Sequence, residues 1–226
     1  LSPFSLHDAL TISNGLTVAW EYIVPSPEFD VAQAVGLMVT KPVDAYFPAV
    51  GPTHMAQVAG GAFQQGLTPL SMMAAPSFND AFVREGFALA PLFTSGSMYL
   101  MAFVAPYDAE TAGHATMRAT FSAMGIDSAN TFLVAGWASQ HHLKGVLEAA
   151  NKGGDLTRAG IRRAAGSVYV DSDGMMPQRE LGQNRADAES FIAVPDGTIA
   201  SGVKLLAGNY VGPSAGGYDW ESGPCS

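Results

Sequence analysis

Val43-Asp44-Ala45-Tyr46-Phe47-Pro48-Ala49-Val50, followed by Gly51-Pro52-Thr53, is the stretch on which the fold turns. The run is short, largely apolar and bounded by Pro42 and Gly51, as expected of a strand buried in a parallel sheet. Helical spacing then covers residues 53–65 and stops at Gly66, since a glycine just past the last turn ends a helix with little strain. A further apolar run over residues 70–74 restores the strand pattern. Strand, helix and strand in that order predict a βαβ unit, with parallel strands and a right-handed crossover.

Working outward, the alternation continues. Residues 16–24 are rich in Val, Ile and aromatics and end at Pro25 and Pro27, which predicts a strand. Phe29, Ala32, Val35 and Val39 recur at helical spacing, which predicts a helix over 29–40. Downstream, residues 79–85 read as helical and 99–104 as a strand ended by Ala105-Pro106. Residues 109–124 read as a helix stopped by Gly125. This βαβαβ order predicts an α/β chain whose parallel sheet is covered on both faces.

Next, Asn130-Thr131-Phe132-Leu133-Val134-Ala135-Gly136-Trp137 opens a long helix that ends in Leu147-Glu148-Ala149-Ala150-Asn151. Gly153-Gly154 stop it, and Asp155-Leu156-Thr157-Arg158 start another with a polar cap. Beyond Ala165, short strands are expected at 168–170, 191–194 and 203–206. No internal repeat or low-complexity segment is present.

Composition excludes several classes. At 226 residues, 48% hydrophobic and 14% charged, the chain can pack one large domain or two small lobes and is too apolar for disorder. Its net charge of −9 leaves no basic stripe to neutralise phosphates, so no nucleic-acid partner is expected. Cys225 is the single cysteine, which excludes an intramolecular disulfide framework and a multi-cysteine zinc site. No run of about 18 apolar residues and no export signal is visible, so the sequence alone does not state a compartment. Residues 1–13 read like a translated sequencing adapter; the other reading is a frayed N-terminal strand. On either reading the chain is expected to begin within a longer protein.

Several segments together resemble the substrate-binding proteins of ABC transporters, of the leucine/isoleucine/valine-binding kind. These are Gly15-Leu16-Thr17-Val18 with Pro27-Glu28-Phe29-Asp30-Val31-Ala32-Gln33, then Pro42-Val43-Asp44-Ala45, Met55-Ala56-Gln57 and Gln65-Gly66-Leu67. Phe103-Val104-Ala105-Pro106-Tyr107-Asp108 and the Asp155-Leu156-Thr157-Arg158 turn complete the set. The resemblance covers residues 15–165 and continues more faintly to Tyr210. It implies a type I periplasmic-binding-protein-like α/β fold, built of parallel βαβ lobes around a cleft that closes by a hinge.

On that pattern residues 14–103 are the second lobe and 104–165 return to the first. Residues 166–226 are closing strands and a C-terminal tail, and most of the first lobe is missing. The implied function is capture of a small polar metabolite outside the cytoplasm, in the periplasm or lipid-anchored, and delivery to a membrane permease. The implied ligand is a branched-chain amino acid or a related amide or organic acid. No catalysis, cofactor or metal is implied. A ligand-sensing regulatory domain on the same fold is the alternative, and a nucleotide-using α/β enzyme is a third, poorly supported reading.

Ligands of open α/β sheets bind at the carboxyl ends of the strands. Two loops qualify: Gly51-Pro52-Thr53, where free helix N–H groups could meet a carboxylate or carbonyl, and Ala74-Ala75-Pro76 with Ser77. An ordinary helix start capped by Thr53 is an equally good and compatible reading of the first. The resemblance implies, for amino-acid binders, an acidic side chain near the second loop to pair with the ammonium group. Here Ala74 and Ala75 stand there and the next carboxylate is Asp80. A buried unpaired ammonium costs several kcal/mol, so either the ligand lacks a free amine or a carboxylate elsewhere pairs with it.

Other features carry less. His141 and His142 are adjacent, about 100° apart on a helix, and cannot form an i, i+4 metal pair. His54 lies beside the first loop, where it either donates to a ligand or covers the helix surface. Asp171-Ser172-Asp173-Gly174 opens like a calcium loop, but Pro177 and Gln178 follow and the twelfth position is Gly182, so a turn is expected. Gly60-Gly61 and Gly66 fit no phosphate-binding spacing, and there is no nucleophile elbow.

Overall fold

The computed structural model describes residues 15–177, 179–180 and 189–212; the adapter-like segment and Cys225 lie outside these. Helix α1 (Val31–Thr40) leads to strand β1 (Ala45–Tyr46), helix α2 (Pro52–Gln64) and strand β2 (Leu70–Ala74). A four-residue helix α3 (Ala90–Phe93) precedes β3 (Met98–Ala102). Then come α4 (Ala112–Ala123), α5 (Thr131–Lys152) and α6 (Arg158–Ala165). Strands β4 (Tyr169–Val170), β5 (Arg179–Glu180), β6 (Glu189–Pro195) and β7 (Val203–Val211) follow.

Five strands form one sheet in the order β1-β2-β3-β6-β7. The βαβ reading holds: β1, β2 and β3 are mutually parallel. The sheet is not parallel throughout, because β6 and β7 add as an antiparallel hairpin beside β3. One face carries Ser71, Met73, Met98, Leu100 and Ala193, all buried. It packs against Ala34 and Met38 of α1 and Met55, Val58, Ala59 and Ala62 of α2. Phe82, Phe87 and Phe93 fill the end of this core, with the Phe82 and Phe93 rings 4.6 Å apart. Cover on both faces was expected, but Met72, Tyr99, Ile192 and Val194 on the other face are half-buried and Met101 is exposed.

Four further expectations are corrected or narrowed. Residues 16–24 pair with no strand among the described residues, and an alternating pattern without a ladder partner cannot form one. The segment is instead tied by Trp20, whose indole donates to Lys41 O at 3.1 Å, and by the Tyr22 hydroxyl, which accepts from Asp30 N at 3.1 Å. Helix α1 starts at Val31 rather than residue 29, because the Asp30 carboxylate accepts from Ala32 N and Gln33 N and caps it there. The helical reading of residues 79–85 holds over a shorter span, as the 3₁₀ helix Asp80–Val83 capped by Asn79. β1 shrinks to two residues because Pro48, just beyond it, has no N–H to donate to the ladder.

The chain leaves the sheet at Ala102 and crosses to a second core, made by Val104, Tyr107, Met117, Phe121, Val134, Ala138, Met175 and Met176. Residues 171–174 form the expected turn: Asp173 N donates to Asp171 Oδ1 at 2.9 Å, and Asp173 O accepts from Gly113 N at 3.0 Å. Gly113 is required by this contact, since a Cβ there would lie 2.5 Å from Met175 Cγ. Helices α5 and α6 begin at Asn130 and Thr157 as the sequence predicts, each side chain accepting a first-turn N–H.

The crossover is buried and held from α4. His114, wholly buried, places Nε2 3.2 Å from Ala105 O and Nδ1 2.8 Å from Thr111 Oγ1. A carbonyl can only accept, so Nε2 donates, and in the neutral ring Nδ1 accepts from the Thr111 hydroxyl. Burial pushes its pKa below the ordinary histidine value and Arg118 adds to this, against the Ala105 hydrogen bond and the carboxylates of Asp108 and Glu110. The unfolded chain therefore takes up the proton first, near pH ~6.5. Stability contributed by neutral His114 is full above that pH and falls as pH drops below it. Urea unfolding midpoints at pH 7.5 and 5 are expected to fall less in His114→Gln than in the native sequence. An equal fall in both would contradict this assignment.

Candidate functional site

The two loops predicted as ligand contacts lie side by side at the carboxyl edge of β1 and β2. Gly51 is the N-cap of α2, with extended backbone and no side-chain cap, and Pro52 occupies the first helical position. Thr53 is therefore not the cap; it sits inside the first turn, exposed. Met55 N donates back to Gly51 O at 3.0 Å. The first-turn N–H groups ahead of it, on Thr53 and His54, carry the partial positive charge of the helix start. The N-caps of α1, α4, α5 and α6 (Asp30, Thr111, Asn130 and Thr157) each satisfy such groups with a side chain; Gly51 does not.

Ala74 ends β2 and its N–H donates to Pro48 O at 3.3 Å. Ala75 is buried and Pro76 exposed in the 3₁₀ turn Ala75–Ser77. Ser77 stitches the two loops together: its hydroxyl accepts from Val50 N at 3.2 Å and donates to Pro48 O at 3.3 Å. At 1% exposure it is one of the few buried polar side chains of the described residues. Ser77 reads in sequence only as a loop residue; its role depends on long-range contacts that no local pattern reveals.

Asp80, the nearest carboxylate along the chain, is directed elsewhere. It pairs with Arg84 at 3.3 Å, and Arg84 also donates to Ile199 O at 3.2 Å and to Ala200 O. That arrangement fastens the β6–β7 turn to the sheet.

Aromatic rings approach the first loop from the N-terminal segment. Phe29, just ahead of α1, lies 5.0 Å from the His54 ring, and Tyr22 lies 5.4 Å from Phe29. His54 thus packs against Phe29, in keeping with its helix-surface reading. Sequence reasoning does not single out Tyr22 or Phe29 as site residues; Tyr22 stands in the aromatic-rich residues 16–24, and Phe29 reads only as a helix-spaced apolar residue. Beyond Ser77 an open groove runs between Asn79 and Asp80 on the sheet side and Asn130, Thr131 and Phe132 at the start of α5.

Among the described residues no three His, Cys, Asp or Glu side chains cluster to hold a metal ion. No helix of the described residues is long and apolar enough to cross a membrane.

Comparison with known proteins identifies the fold. No family model and no curated protein matches the chain. Among solved structures it is similar to a fatty acid ABC transporter substrate-binding protein from Thermomonospora curvata, at 20% identity and TM-score 0.81, covering 94% of this chain and 55% of that one. It is also similar to an ABC transporter substrate-binding protein from Aeropyrum pernix, at 14% identity and TM-score 0.69, covering 93% and 56%. A branched chain amino acid ABC transporter structure from Thermus thermophilus with bound valine matches at 13% identity and TM-score 0.64, covering 95% and 59%.

These likenesses define the fold as that of the type I periplasmic binding proteins. The neighbours are binding components of transporters, not enzymes. The chain spans between 55% and 59% of the length of these three structures.

The loop architecture makes a direct prediction. Replacing Ser77 by Ala leaves Val50 N–H and Pro48 C=O without their shared partner, and such a loss costs about 1–3 kcal/mol. Equilibrium urea unfolding is expected to show a destabilisation of that order. A variant as stable as the native sequence would show that the two loops hold their places without the bridge.

Proposed function

We propose that the chain is part of an extracytoplasmic solute-binding protein of an ABC uptake system, which captures a small metabolite and presents it to a membrane permease without catalysing a reaction. The observation that supports this most is the shared fold with three ABC-transporter binding proteins, covering more than nine-tenths of this chain. In this reading residues 14–103 belong to the second lobe and 104–165 to the return into the first. Residues 166–226 supply closing strands and a tail. The chain spans little more than half of its neighbours, so it contributes one wall of a cleft that closes by hinge motion.

The ligand is assigned to Gly51, Pro52 and Thr53 on one side and Ala74, Ala75 and Pro76 on the other. Backbone N–H groups of the first turn of α2 suit a carboxylate or an amide carbonyl. Ala74 and Ala75 carry no carboxylate, and Asp80 is paired with Arg84. This supports an organic acid or an amide over a free amino acid. The neighbours include both a fatty acid binder and a structure with bound valine, so the fold accommodates either. A ligand-sensing receptor domain is the second reading; it is favoured by similarity to an extracellular ligand-binding receptor from Rhodopseudomonas palustris, at 16% identity and TM-score 0.58.

Calorimetric titration tests the ligand class. Straight-chain carboxylates such as octanoate, or their primary amides, are expected to give saturable heat, and valine and leucine none. Binding of valine without binding of any acid or amide would overturn the ligand class. Silence across a broad metabolite panel would overturn the binding function itself.

A further inference from the structure

The two hydrophobic cores meet at a third, smaller one. Phe191 of β6, 4% exposed, lies among four alanines: Ala75 after β2, Ala102 at the end of β3, and Ala105 and Ala109 in the crossover. Interfaces of large interdigitated side chains resist relative motion, because close-packed knobs must leave their holes. Four methyl groups around one flat ring present no such knobs.

The crossover belongs mechanically to the helical side of this joint. Ala105 N donates to Met175 O at 2.9 Å, and His114 Nε2 donates to Ala105 O at 3.2 Å. Arg118 Nη1 donates to Tyr107 O and Ala109 O, both at 2.9 Å, and the Tyr107 hydroxyl to Asp127 O at 3.3 Å. Each partner lies on α4 or beyond it.

Toward the sheet the crossover is tied differently. Ser201, in the β6–β7 turn and 3% exposed, donates its hydroxyl to Asp108 Oδ2 at 2.5 Å. That turn moves with the sheet, because it joins β6 to β7 and is closed by the Asp196 N to Gly202 O bond at 2.9 Å, and Arg84 fastens it to the 3₁₀ turn Asp80–Val83. The Ser201–Asp108 bond therefore joins a point rigid with the sheet to a point rigid with the helices. Ser201 also borders the groove between Asn79 and Asn130.

We propose that the Ser201–Asp108 hydrogen bond is a latch that holds the sheet and helical halves in the arrangement seen here, across the alanine-lined joint at Phe191. The use of such a latch for capture rests on the solute-binding reading; the latch itself rests on the contacts alone. His114 and Arg118 are positioning residues that make the crossover a stiff arm.

The test measures distance between the halves with no ligand present. Spin labels at Gln64→Cys on α2 and Asn151→Cys on α5, with Cys225→Ser, report their separation by pulsed electron resonance. The parent is expected to give one narrow distance distribution. Ser201→Ala and Asp108→Ala are expected to broaden it and add a displaced peak, while far-UV circular dichroism stays unchanged. Asp108→Asn, which keeps an acceptor oxygen, is expected to stay narrow. If Ser201→Ala fails to fold, exposed Asp108 still carries the test. Distributions as narrow as the parent's in the alanine variants would overturn the latch. A parent already as broad as its variants would overturn it as well. Failure of every ligand titration with a positive latch result would remove the transport reading and leave the joint standing.

Discussion

β3 runs parallel to β2 on one side and antiparallel to β6 on the other, and its last residue, Ala102, sits opposite Phe191. That double register is the constraint from which the remaining structure follows. Because β3 is parallel to β2, the loops after β1 and β2 emerge at the edge where β3 leaves the sheet, which places the candidate binding loops beside the crossover. Because β6 runs antiparallel to β3, its turn to β7 lies beyond the start of β3, and Arg84 and Asp108 meet it there through Ile199, Ala200 and Ser201. A slip of one residue would turn Leu100 and Met98 out of the core. The same slip would separate Phe191 from the alanines around it.

Most polar groups near this junction are paired within the chain. Crossover carbonyls at Ala105, Tyr107 and Ala109 are satisfied by His114 and Arg118. The carbonyl of Pro48 is met by Ser77, and Asp80 is met by Arg84. Against this background the start of α2 stands out, because Gly51 supplies no side chain and Pro52 no N–H. A small ligand bearing oxygen acceptors complements that vacancy of acceptors, and a free ammonium does not. Phe29, tilted against His54, offers an apolar flank to the same place.

Much of this was legible in the sequence, and the misses share a cause. Leu70–Ala74 reads directly as β2, because an apolar run between a glycine stop and Pro76 has little else to be. The α5–α6 junction reads as well, since Gly154 takes φ +72 and Thr157 accepts from Gly160 N. Gly51-Pro52 was recognisable as a helix start because proline favours the first helical position. What failed depended on partners far along the chain. Residues 16–24 have the composition of a strand yet find no ladder among the described residues, and Thr53 has the composition of a cap yet lies two positions past it. Ser77 and Phe29 gain their roles from contacts to residues far along the chain, Val50, Pro48 and His54, which no local periodicity encodes. The resemblance to ABC-transporter binding proteins gave the fold that comparison of structures also gives, while the ligand depends on side chains that such a likeness does not specify.

The central claim is that a small molecule is captured at the carboxyl edge of β1 and β2. Amide-resolved nuclear magnetic resonance during titration with octanoate tests it most directly. The account predicts that shift changes concentrate on Val50, Gly51, Thr53 and His54 and on Ala75 and Ser77. Changes confined to other parts of the molecule, such as the β4–β5 hairpin or the exposed face of α5, would contradict it.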